Sequence, residues 1–198
     1  MHDDPDSAPK EMQLRDSPDD LLARAEVFAC FSMRMRAKVP PALIAVGPSG
    51  SIFFVSSTMD DVRAKDNFAN VARLICVAHG ATAVVMILEA WMAVAAADGS
   101  LDLNVPPSEA LNRREIVMLA CETRGGCKHK ILPIIRTDAG GFFGFGEDAG
   151  PYATSLQGRF TQILLPRMPS KARQEQARRL LAGMGIDTTD LRRDPFAN

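Results

Sequence analysis

From Ala81 to Ala97 the chain runs for seventeen residues with a single charged side chain, Glu89. Few folds accommodate such a run. A membrane span needs roughly 18–20 apolar residues without an interrupting charge, so a bilayer is not the expected destination. Thr82, Val84, Val85 and Ile87 favour an extended chain, which makes the run a long central strand. Its alanine-rich end, Ala90 to Ala97, could turn helical before Asp98-Gly99. A carboxylate inside this strand must find a hydrogen-bonding partner or an opening to water.

The flanking sequence supplies helices and further strands. Ser17-Pro18-Asp19-Asp20 has a capping serine, an early proline and acids at the positive dipole end. Leu21, Leu22, Ala25, Phe28, Ala29, Ser32 and Met35 continue it at helical spacing, and Pro40-Pro41 stops it. Residues 42–47 and 51–56 read as a hairpin about Gly47-Pro48-Ser49-Gly50. Thr58 is the expected cap of a second helix with Phe68, Val71, Ala72, Ile75 and Ala78 inward and Gly80 at its end. After the central strand, residues 115–121 are apolar on both faces, as in a covered strand. Residues 130–135 form another strand that Pro133 marks as an edge or a bulge. Phe142 to Gly146 and Phe160 to Leu165 complete the strands. Ser170 opens a last helix with Ala177, Leu180, Leu181 and Met184 inward.

Turns, rather than crossover helices, join the strands from residue 81 onward, so the sheet should be mainly antiparallel. The expected class is α+β, with an N-terminal hairpin plus a C-terminal meander and an order of α-β-β-α-β-β-β-β-β-α. Residues 1–16 read as a mobile acidic tail, 17–185 as one domain and 186–198 as a C-terminal tail. In its helix–hairpin–helix–meander order the chain resembles small ligand-binding or dimerisation folds of the profilin or roadblock type. That resemblance is at the level of fold and assigns no residue a role.

A net charge of −1 gives no general attraction to nucleic acid or anionic membranes. The first residues lack the basic and apolar regions of an export signal, and Cys30, Cys76, Cys121 and Cys127 are scattered. A soluble cytoplasmic protein with free thiols is expected. Cys121, Cys127 and His129 have the spacing C-x5-C-x-H, which lacks the close cysteine pair and the fourth ligand of a structural zinc site. A hairpin turning on Gly125-Gly126 would instead set Glu122 opposite His129. The basic turn 124–130 and the basic helix 167–179 offer charge for nucleic acid, but no aromatic interleaves with it, so a solvated face is the better account. No phosphate-binding glycine loop, metalloprotease motif or nucleophile elbow occurs, and no cofactor is expected.

The remaining candidate is Glu89 with Trp91, which lie on one face of a strand about 7 Å apart. A buried carboxylate there could act as a general acid or base in a pocket, or could simply pair with Arg113, Arg114 or Arg136. The loop before residue 115 gathers hydroxyl, amide, acid and guanidinium groups. If the strands on either side of it are neighbours, Glu89, Trp91, Ser108, Asn112, Arg113 and Glu115 could line one concavity. With no catalytic set in view, the leading expectation is a non-catalytic binding or assembly protein, a homo-oligomer that uses its sheet or an edge strand. A small enzyme or anion-binding domain is the alternative.

Overall fold

A computed structural model describes residues 17–56, 59–95, 99, 102, 104–149, 159–188 and 191–193. The fold is α+β. Its elements are α1 (Pro18–Arg36), β1 (Ala42–Gly47), β2 (Gly50–Val55), α2 (Val62–His79), β3 (Ala83–Ala93), β4 (Arg113–Thr123), β5 (Gly126–Arg136), β6 (Phe142–Phe145), α3 (Lys171–Gly183) and β7 (Arg192–Arg193). The strands form one antiparallel sheet in the order β6-β5-β4-β3-β1-β2-β7.

Strand alternation sorts the core onto two sides. Ala83, Val85 and Ile87 of β3, with Val117, Leu119 and Cys121 of β4, face α1. Val84, Met86, Leu88 and Ala120 face α2 and α3. Burial on both sides explains why residues 83–88 of β3 and 116–121 of β4 read as apolar on both faces.

The first helix begins as expected, with the Ser17 hydroxyl accepting the Asp20 N–H at 3.2 Å. Its inward arc runs through Leu21, Leu22, Ala25, Phe28, Ala29, Ser32 and Met33. Met35, expected inside, is outside, because the arc drifts to Met33 in the last turn. Asp61 rather than Thr58 caps α2, accepting the Ala64 N–H at 2.6 Å; Thr58 lies outside the described residues. At the other end of α2, Gly80 adopts φ +63°, a left-handed cap that costs glycine little. His79 sets Nε2 2.7 Å from the Gly50 carbonyl and so docks α2 on the β1–β2 hairpin.

Three further local expectations fail. Residues 160–165 are not a strand. Their backbone donors go instead to a side chain of β4, as the N–H groups of Ile163 and Leu164 both donate to Glu122 Oε2. The β4–β5 turn is centred on Arg124-Gly125, not Gly125-Gly126, so Cys127 stands opposite Glu122 and His129 opposite Ala120. In this register Arg124 donates from Nη2 to the Ala81 carbonyl at 2.9 Å. In α3 only Ala177 and Leu181 are buried, and Leu180 and Met184 face outward. Beyond Gly185, where a tail was expected, Ile186 and Leu191 pack on the α2 side and β7 pairs with β2. The acidic segment 1–16 lies outside the described residues. Pro133 sits within β5 opposite Ile116, and the bulge falls just beyond it, between Ile135 and Arg136.

Candidate binding cleft

β3 outruns its neighbour. Its ladder with β4 extends to Ala93, but its ladder with β1 stops at Ile87. Pro40 and Pro41 stand just before β1 and have no N–H with which to extend that pairing. The second half of β3 therefore has an edge uncovered by strand, and a cleft of about 550 Å³ opens beside it.

Glu89 lies at this edge. Its Oε2 accepts the Val39 N–H at 2.7 Å, which fastens the α1–β1 connection across the open side of the strand. The carboxylate thus takes a backbone partner, not one of the arginines expected for it. Arg136 donates instead from Nε to Glu115 Oε2 at 2.5 Å. That hydrogen bond holds the Arg136 pKa above its ordinary value; desolvation acts against it, and the charges of Glu115 and Glu89 add to it. Trp91 shares the face of Glu89, and the Arg113 guanidinium lies 5.0 Å from the centre of its ring.

Of the six residues named from sequence, Glu89, Trp91 and Ser108 line the cleft. Glu115 stands opposite Trp91 in the β3–β4 ladder, and Arg113 stacks on the indole beside the opening. Asn112 contributes its carbonyl to the Val94 N–H at 3.2 Å and stays outside. Sequence reasoning missed much of the remaining lining: Met59, Lys65, Met118, Arg159 and Phe160. These residues come from four separate parts of the chain. The adjacent Pro40-Pro41 was the one legible signal, since it announces where β1 must begin. Apolar groups make the walls, and Lys38, Lys65 and Arg159 bring positive charge against Asp60 and Glu89. Arg159 is engaged by Asp66 at 2.5 Å. Among the described residues Lys38 and Lys65 have no ion-pair partner.

Several of the other candidate residues make contacts within the fold. Lys128 pairs with Asp19 and Lys130 with Glu26, both on α1, while Arg178 and Arg179 pair with Glu175. Lys128 and Lys130 of the 124–130 turn are thereby drawn toward α1. Cys121 faces α1, whereas Cys127 and His129 alternate onto the other side of the sheet. Among the described residues no three His, Cys, Asp or Glu side chains form a metal-binding group.

Burial pushes the Cys76 thiol well above its ordinary pKa, and the charge of Glu122 adds to the effect. Burial likewise raises Cys121 from 9.0 to about 11, with Cys127 and Glu122 contributing. Both folded pKa values lie above the unfolded one, so the stability the neutral thiols confer is fully present below pH 9.0; the Cys121 part is lost as pH rises through about 11, and the Cys76 part is lost at still higher pH. A Cys76→Ala/Cys121→Ala protein should therefore lose less stability than the parent between those pH values in urea titrations. In the folded parent an aromatic disulfide reagent should modify the exposed Cys127 first, and Cys76 only on unfolding.

Among the described residues no helix is long and apolar enough to cross a membrane. No protein-family model matches this sequence, and no curated protein and no solved structure matches it.

Proposed function

We propose that this is a non-catalytic binding domain whose cleft takes a small amphipathic anion, an apolar body carrying one acidic group. The observation that supports this reading most is the uncovered half of β3. It leaves apolar walls from Leu88, Met118, Met59 and Phe160 beneath a rim that includes Lys38 and Lys65. The volume falls within the range of small-molecule sites, and such sites pair a mainly apolar lining with a few polar anchors. Binding is favoured over catalysis because of the lining's chemistry. Among the described residues neither histidine nor cysteine lines the cleft, Ser108 supplies its only hydroxyl, and Glu89 already holds the Val39 N–H. A nucleophile with an adjacent base is missing from that set.

Trp91, the sole tryptophan, lines the cleft and makes the test direct. The probe is 8-anilinonaphthalene-1-sulfonate, an aromatic body with a sulfonate. Titrated into the folded protein, it should quench Trp91 by energy transfer to a saturable end point. The Lys38→Glu/Lys65→Glu double variant should weaken that binding by about tenfold or more, since two attractions become repulsions. Absence of saturation, or equal binding by parent and variant, would refute the proposal.

A further inference from the structure

The outer face of α1 carries a stripe that folding leaves in water. Val27 is 55% exposed, Phe31 57% and Met35 68%, at successive four-residue steps. Single exposed apolar residues need no explanation, but an aligned row of three along one helix marks a contact surface. Ala23 extends the row toward the N-terminus. Asp20 and Arg34 lie on the same face, one at each end, both exposed.

These residues are arranged symmetrically in type about Val27. Asp20 stands seven residues before it and Arg34 seven after; Ala23 stands four before it and Phe31 four after. Offsets of four and seven return to one helix face. If a second copy of α1 is laid antiparallel across the first with the two Val27 residues on the twofold axis, acid meets base and small meets large. Asp20 of each copy comes opposite Arg34 of the other, and the Phe31 ring comes opposite Ala23. Each of these pairings occurs twice, as a self-complementary interface requires. At the shallow crossing of about 20° common to packed helices, all five positions stay within reach. A parallel arrangement would instead place like charges together at both ends.

We propose that the protein forms a twofold homodimer through α1, with Val27 at the axis. A single helix from each partner makes a small interface, so the dimer is reversible and dilution dissociates it. The surface lies on the helix face turned away from the sheet and is independent of the cleft reading.

The experiment is sedimentation velocity on the full chain over a concentration series from low micromolar upward, in low and in high salt. The parent should pass from monomer to dimer, and Phe31→Glu should stay monomeric at every concentration. Because the Phe31 ring is mostly in solvent, that variant should retain the parent's circular dichroism and urea midpoint. Asp20→Arg alone and Arg34→Asp alone should each weaken the dimer by about tenfold, and salt should narrow that difference. The Asp20→Arg/Arg34→Asp double variant should regain most of the loss. A parent that is monomeric throughout overturns the proposal and leaves the stripe to another segment of this chain. A dimer indifferent to Phe31→Glu, or a double variant no better than the single ones, overturns it as well.

Discussion

Glu122→Ala should destabilise the protein by about 2–5 kcal/mol, since two backbone donors lose their acceptor and an unsatisfied buried donor costs about 1–3 kcal/mol. Glu122 is only 6% exposed, and its Oε2 receives the N–H of Ile163 at 2.8 Å and that of Leu164 at 3.1 Å. The loss would be read from urea denaturation, as a lower midpoint at unchanged slope. Glu122→Gln keeps one acceptor oxygen of the same reach and should lose clearly less. The substitution should also act at a distance. Arg159 and Phe160 enter the cleft from the segment that Glu122 tethers, so freeing the segment removes part of one wall. Dye binding should then weaken in Glu122→Ala even under conditions where the protein is fully folded. Equal stability of Glu122→Ala and the parent would mean that the tether contributes little.

Leu119→Ala should cost about 2–5 kcal/mol, the range for a leucine removed from a packed interior with partial collapse of the space left behind. Leu119 is wholly buried on β4, in the cluster that α1 covers. In a chain of this size each kcal/mol lowers the melting temperature by roughly 2–4 °C, so a fall of about 4–20 °C is expected in thermal scans. Leu111→Ala provides the contrast. Leu111 lies fully in solvent on the β3–β4 loop, and its truncation should change stability by less than about 0.5 kcal/mol. If the two leucines behave alike, the division of the core described above is wrong.

Local chemistry was legible in the sequence, and choices made by distant partners were not. The α1 cap could be read because Ser17, Pro18 and two acids act within one turn. The central strand was legible because a long apolar run with Thr82, Val84, Val85 and Ile87 and one acid has few other uses, and its overhang gives Glu89 its place at an edge. Residues 160–165 have the composition of a strand, yet the side chain that takes their N–H groups lies some forty residues earlier. The β4–β5 turn is accompanied by Arg124 reaching the Ala81 carbonyl, a contact across 43 residues that glycine placement does not encode. The half of the cleft on the β3 strand could be inferred from alternation along one element. Its other half joins Met59, Lys65 and Phe160 through tertiary packing alone, beyond the reach of any periodicity.

The overhang of β3 and β4 past the end of β1 also means that the depth of the opening is a matter of counting residues. Those two strands project as a paired ribbon, and each residue added or removed changes a strand's length by about 3.3 Å. A change of two residues in both strands would preserve which side chains face which way, and so would leave the interior packing unaltered. It would lengthen or shorten the open edge by about 7 Å. The extent of the cleft is therefore adjustable by ribbon length, and with it the size of the guest proposed above, without redesigning the walls.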